Sequence, residues 1–177
     1  RNNSMKPGEL ETRLDLLGIT AQHCTSCQLP VQIETDELVE AEMDISDRPQ
    51  RMTARTLTHW QAMKQAAAND GIVLQLVSAF RSVDYQCNLI QKKLASGQVI
   101  DDILKVNAIP GYSEHHTGRA LDLTTLDCEP LEEDFENTDA FAWLVINAHR
   151  FHFHLSYPQN NDSSITYEPW HWACTES

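Results

Sequence analysis

The sequence predicts a single α+β domain in which helices pack on a mainly antiparallel sheet, and three observations carry that expectation. A length of 177 residues suits one hydrophobic core that buries roughly 70% of the unfolded surface. Hydrophobic residues at 41% and charged residues at 22% match ordinary soluble usage, and no apolar run approaches the ~20 residues needed to span a bilayer. Helical periodicity gathers early in the chain and strand-like alternation late, with few helical crossovers between strands after Asp122.

Residues 1–50 are polar and acidic, with short apolar runs such as Leu14, Leu16, Leu17 and Ile19 but no persistent period, and read as an arm or irregular cap of the same domain. From Thr53 to Asn69 the side chains Leu57, Trp60, Met63 and Ala67 recur at helical spacing, and Asn69-Asp70-Gly71 ends the helix. Ile72–Val77 follows a turn and is rich in branched residues, as a buried strand should be. Ser82 is an N-cap for a second helix through Tyr85, Leu89, Ile90 and Leu94, stopped at Gly97. Arg81 therefore falls at a strand-to-helix junction, where a side chain can face a cleft from rigid supports. Ile109-Pro110-Gly111 is a turn. Ala120–Thr125 alternates as a strand, with Leu121 and Leu123 on the core face and Asp122 aimed away from it. Thr138 caps a third helix through His149, Phe151–Leu155 alternates again, and a last strand runs from Tyr167 to Ala173.

A net charge of −13 and a pI near 4.8 disfavour nucleic-acid binding and require a local cation for any carboxylate-bearing substrate. The five cysteines, at 24, 27, 87, 128 and 174, do not form the even set of a disulfide framework, although one or two bridges would fit an oxidising compartment. No charged start with a following apolar run is seen. With Met5 as native start and Arg1–Ser4 as a cloning remnant the protein would be cytoplasmic; otherwise any secretory signal would lie outside this sequence.

Chemistry concentrates in two segments. Ser113-Glu114-His115-His116-Thr117-Gly118-Arg119-Ala120-Leu121-Asp122 sets an imidazole and a carboxylate seven residues apart. On a straight strand the two would point to opposite faces, so a bend or bulge at Gly118 is required for them to converge. Glu168-Pro169-Trp170-His171 supplies a second imidazole. Two imidazoles and one carboxylate suit Zn2+, and three protein ligands leave a fourth position for water, the pattern of a hydrolytic site. Glu168 is placed to act as general base, provided Pro169 breaks the alternation that would turn it away from His171. His116 is the neighbouring alternative to His115, read as supporting the site from behind or facing solvent.

These residues resemble the VanY-type D-alanyl-D-alanine carboxypeptidases, relatives of the VanX dipeptidases and of some phage endolysin peptidases. The likeness comprises Ser-x-His-x-x-Gly-x-Ala-x-Asp, met by Ser113, His115, Gly118, Ala120 and Asp122; Glu-Pro-Trp-His, met by Glu168 to His171; and Ser-x-aromatic-Arg-Ser-x-x-x-Gln, met by Ser78, Phe80, Arg81, Ser82 and Gln86. It covers roughly residues 78 to 172. The resemblance implies a hedgehog/DD-peptidase-like fold, a zinc peptidase domain over 51–177, and His115, Asp122 and His171 as metal ligands. It also implies Glu168 as base, Arg81 as anchor of the substrate carboxylate or developing oxyanion, and Ser113 and Gln86 lining the substrate site. The implied reaction is release of a terminal D-alanine from peptidoglycan stem peptides across a D,D or L,D bond, by a monomer in the cell envelope or periplasm. An endopeptidase, a D,D-dipeptidase and a non-catalytic zinc or wall-binding module use the same motifs. The chain departs from the family at Ala79-Phe80, where Gly-Tyr is frequent, at His152, where glycine is common, and at Ala173 and Cys174.

Other clusters have plainer readings. His152 and His154 alternate with Phe151 and Phe153 and read as the exposed face of a strand. His23-Cys24-Thr25-Ser26-Cys27 lacks a partner pair for a zinc finger and a preceding strand for a redox motif. Glu129–Glu136 reads as a solvated acidic loop, and Arg81 also has an innocent reading as a structural ion-pair partner.

Overall fold

The chain, described here by a computed structural model over residues 5–175, opens with two short helices, α1 (Glu9–Leu16) and α2 (Ala21–Ser26). Arg1–Ser4, on which the reading of Met5 as a start turns, lie outside the described residues. A hairpin of β1 (Val39–Met43) and β2 (Pro49–Met52) leads into the long helix α3 (Ala54–Asn69), then β3 (Gln75–Ser78), α4 (Val83–Ala95) and α5 (Ile100–Val106). The second half holds β4 (Ala120–Thr124), α6 (Asp139–Asn147), β5 (Phe153–Leu155) and β6 (His171–Cys174).

The expected N-caps are present. Thr53, Ser82 and Thr138 each accept a bond from the backbone N–H three residues on, the geometry that satisfies a free donor of the first turn. The α+β expectation holds: β3, β4, β6 and β5 form one sheet in that order, with every pairing antiparallel. The apolar faces of β3 and β4, through Leu76, Leu121 and Leu123, meet Trp60 and Met63 of α3 and Leu144 of α6 in the main core.

Several boundaries differ from those read in the sequence. The strand expected over 72–77 begins at Gln75, because Gln75 is where pairing with Thr124 starts. The third helix gives way to a 3-10 turn over Ala148–Phe151, so the strand expected from Phe151 begins at Phe153. The last strand begins at His171 rather than Tyr167, since Pro169 and Trp170 form a turn. The first fifty residues hold two short helices and β1 as well as an irregular stretch over 28–38, and they do cap the domain. Leu17, Ile19 and Cys27 pack with Cys87, Ile90, Ile103 and Leu104 in a second core, so this segment caps α4 and α5. Helices of six and eight residues are too short to show a period; tertiary packing makes them.

The β1–β2 hairpin matters for the site because it braces the end of β3. Buried Asp44 accepts from the backbone N–H groups of Ser46 and Arg48, from Arg48 Nε at 2.8 Å and from Gln50 Nε2 at 2.7 Å. Gln50 Oε1 in turn accepts from Ala79 N at 3.0 Å, and Phe80 N donates to Arg51 O at 3.1 Å. Burial alone would raise the Asp44 pKa, but these four donors hold it below its ordinary value. Its stabilisation is therefore full above the ordinary carboxylate range and lost as pH falls through the lower folded value. Asp44→Asn is expected to cost about 1–3 kcal/mol at neutral pH, with the gap from wild type closing as chemical unfolding is repeated below about pH 4. A gap independent of pH would contradict this assignment.

Candidate active site

β4 and β6 pair with Asp122 directly opposite His171. Opposed residues of an antiparallel pair share a face, so the register alone brings the carboxylate to the imidazole, with Asp122 Oδ1 3.3 Å from His171 Nδ1. His115 arrives from the segment before β4, where Ser113 caps a 3-10 turn over Glu114–Thr117 by accepting from His115 N. Gly118, at φ 70°, ends the turn in the left-handed region and starts the chain into β4. His115 Nε2 then lies 3.2 Å from the same Asp122 Oδ1.

Both conditions set by the sequence are met, by a bend at Gly118 and by a turn at Pro169 that breaks the alternation. His115 is not on a bulged strand; it sits on a helical turn, which frees it from strand alternation. Glu168 is likewise outside the strand: His171 N donates to Glu168 O at 3.2 Å across the Pro169-Trp170 turn, which brings Glu168 Oε2 to 3.7 Å from His171 Nδ1. Asp122 does face away from Leu121 and Leu123, but it is 2% exposed, because β4 lies between β3 and β6 and the site groups cover its other face.

One candidate ligand atom from each of His115, Asp122 and His171 lies within 4.8 Å of the others, and all three residues are buried. His115 Nδ1 is 2.7 Å from Ala79 O, which assigns its proton to Nδ1 and leaves the Nε2 lone pair facing Asp122. Asp122 Oδ1 is buried without a hydrogen bond although two imidazole nitrogens lie beside it. A cation between the three atoms would satisfy that oxygen, and two nitrogens with one oxygen is a donor set that suits zinc.

The electrostatics separate the two carboxylates. Against its burial, Asp122 is held well below the usual carboxylate range by His115, His171 and Arg81. Burial pushes Glu168 up to about 7, with Asp122 adding to the rise and His171 and Arg81 opposing it. Burial alone would lower His171, yet Asp122 and Glu114 lift it to about 10. Burial and the charge of Arg81 lower His115, consistent with a neutral ring. A carboxylate that titrates near neutrality beside a set of metal-type donors is suited to accept and return a proton.

Arg81 donates from Nη2 to Asp122 Oδ2 at 2.7 Å and from Nε to Ser78 Oγ at 3.1 Å, with Nη2 also 3.0 Å from His115 Nε2. The ion-pair reading of Arg81 is thus realised, with a candidate ligand as the partner. Arg81, Gln86, Ser113, His115, Glu168 and His171 line one small cleft together with Asn107, Ala108, Tyr157 and Ile165. Gln86 donates to Ala108 O at 2.9 Å and keeps Oε1 buried without a partner. Ser113 is occupied in part as the cap of the His115 turn.

His116 does not face solvent. It is fully buried, with Nδ1 2.7 Å from Arg81 O and Nε2 accepting from Gly111 N at 3.1 Å, and burial lowers its pKa to about 4. It fixes the backbone that carries Arg81.

Sequence reading passed over Tyr157, whose ring lies 4.7 Å from that of His171, and Glu114, whose Oε1 lies 3.3 Å from His171 Nε2. Only the loop path and the β4–β6 register bring them there. Glu114 adjoins His115 in sequence, and that adjacency was the available signal.

The plainer readings fare well. His154 is exposed on β5, whereas His152, also exposed, precedes the strand at φ 66°, the conformation that explains a glycine elsewhere. All five cysteines are free. The acidic segment is mostly exposed, but Phe135 anchors it in the core.

The family model for VanY, D-alanyl-D-alanine carboxypeptidase, matches residues 49–175. YodJ of Bacillus subtilis (strain 168), named as an inferred carboxypeptidase, is 30% identical over 178 residues, covering 96% of this chain and 64% of that protein. A D-alanyl-D-alanine carboxypeptidase of Enterococcus faecalis (strain ATCC 700802 / V583) is 26% identical over 145 residues, 75% of this chain and 52% of that one. The chain thus spans less than two thirds of each relative. Among solved structures, the LdcB LD-carboxypeptidase, described with its peptidoglycan recognition, superposes with a TM-score of 0.71 at 28% identity over 82% of this chain and 71% of that one. A vancomycin resistance D,D-pentapeptidase VanY mutant in complex with Zn(II) shares the fold, at TM-score 0.63 and 23% identity, over 84% of this chain and 87% of that one.

A Cβ at Gly118 would meet Leu38 Cδ2 at 2.9 Å, Thr53 Cγ2 at 3.1 Å and Thr35 Cγ2 at 3.2 Å. The left-handed backbone adds about 1–2 kcal/mol for any other residue. Gly118→Ala is therefore expected to lower the melting temperature by about 4 °C or more, taking 2–4 °C per kcal/mol at this size. An unchanged melting temperature would remove Gly118 as the hinge that sets His115.

Proposed function

The chain belongs to the VanY D-alanyl-D-alanine carboxypeptidase family, and from that premise we propose that it is a zinc-dependent carboxypeptidase releasing a terminal D-alanine from peptidoglycan stem peptides or their precursors. The observation that carries this reading is the convergence of His115, Asp122 and His171 beside Glu168 in one buried cleft. His115 through Nε2, His171 through Nδ1 and Asp122 through Oδ1 would hold the ion. Zinc there supplies Lewis acidity toward an attacking water and the scissile carbonyl.

The other work falls to the chain's own groups. Glu168 takes the proton of the attacking water and returns it to the departing amine, a task for which a carboxylate titrating near 7 is matched. Arg81 keeps Asp122 aligned through Nη2, which leaves Nη1 for the substrate's terminal carboxylate or the oxyanion. This is the local cation that an acidic protein needs. Gln86 Oε1 offers an acceptor to a substrate N–H. Removal of a terminal residue, rather than cleavage within a chain, is favoured by Arg81, a cation in the cleft wall whose planar fork matches a terminal carboxylate. We place this activity, carried out by a monomer, in the cell envelope, where such peptides are found.

Zinc-loaded protein incubated with muropeptides ending in D-Ala or D-Ala-D-Ala should release D-alanine, read by mass spectrometry, and the two substrates report the L,D or D,D preference. Glu168→Ala should retain zinc and lose activity by about 100-fold or more. Absence of product from wild type, or undiminished release by the variant, would sink the reading.

A further inference from the structure

The imidazole of His171 is engaged at both nitrogens. Its Nδ1 faces Asp122 Oδ1, on the side where His115 converges, and its Nε2 lies 3.3 Å from Glu114 Oε1. Glu114 immediately precedes His115 on the same 3-10 turn. One turn therefore carries a ligand of the proposed zinc site together with a carboxylate aimed at the other imidazole ligand.

An imidazole that binds metal through Nδ1 carries its proton on Nε2. His171 is buried, so that N–H needs an acceptor within the protein. Glu114 is the acceptor in place, and the ring of Tyr157 packs on His171 beside it.

Resting on the zinc reading above, we propose that Glu114 is a positioning residue for the metal. By accepting from His171 Nε2–H it fixes the tautomer, aims the Nδ1 lone pair at the ion and raises the basicity of that nitrogen. His115 is served by a neutral acceptor, the Ala79 carbonyl. The two imidazoles thus have unequal support, and the charged one belongs to His171. Outer partners of this kind typically carry 10–100-fold in metal affinity.

The test compares the full chain with Glu114→Gln and Glu114→Ala. Zinc affinity is measured by competition with a chromophoric chelator, the fold of each metal-free protein by circular dichroism, and the His171 tautomer by nitrogen-15 shifts. Glu114→Ala is expected to bind zinc about 10–100-fold more weakly, with Glu114→Gln between it and wild type because it keeps an acceptor oxygen but not the charge. Wild type loaded with zinc should show His171 protonated at Nε2. Both variants binding zinc as wild type does would overturn the proposal alone, whereas a proton on Nδ1 in the loaded protein would overturn it together with the assignment of Nδ1 as the ligating atom. A wild type that binds no zinc would overturn the zinc reading and this role with it. Should Glu114→Ala fail to fold, Glu114→Gln decides.

Discussion

The pairing of Asp122 with His171 across β4 and β6 is the constraint on which the site depends. A shift of one residue would turn one of the two to the opposite face, since side chains alternate along a strand. The register is set by the core rather than by the site: Leu121 pairs with Trp172 one position away, and both are buried in the main hydrophobic cluster. Apolar packing on one face of the sheet therefore fixes the polar geometry on the other. His115, Glu168 and Arg81 are then delivered to this pair by turns, one ended by Gly118, one built on Pro169 and one at the end of β3.

A site that gathers Arg81, Asp122, His115, His171, Glu114 and Glu168 with little solvent would be costly unless the groups answered one another. Here they do. Arg81 bonds Asp122, Asp122 lies between the two imidazoles, and Glu114 lies on the far side of His171. The exceptions are instructive. Asp122 Oδ1 and Gln86 Oε1 are buried acceptors without donors, one between the candidate ligands and the other in the adjoining cleft. Unmatched acceptors at these two points are what a cation and a substrate N–H would complete.

Much of this was legible in the sequence, for identifiable reasons. The candidate metal and base residues stand in short, dense motifs, and the capped helices at Thr53, Ser82 and Thr138 announce their own starts. The β4 strand was readable from the alternation of Leu121, Asp122 and Leu123. What escaped depends on contacts distant in the chain. Helices α1 and α2 exist because Leu17, Ile19 and Cys27 find α4 and α5, and nothing in the local pattern of the first fifty residues records that. The hairpin brace on Ala79 needs Gln50 to meet a strand some thirty residues on. Glu114 and His116 looked like neighbours of a ligand, and only the fold separates a group that backs His171 from one that fixes the backbone of Arg81.

The central claim is that three side chains converge on one zinc ion through defined atoms. Crystals of the zinc-loaded protein, with data collected on both sides of the zinc absorption edge, test it most directly. The account predicts a single strong anomalous peak bonded to His115 Nε2, Asp122 Oδ1 and His171 Nδ1, at zinc–nitrogen distances of about 2.0–2.1 Å. A peak elsewhere, or ligation of His171 through Nε2, would contradict it.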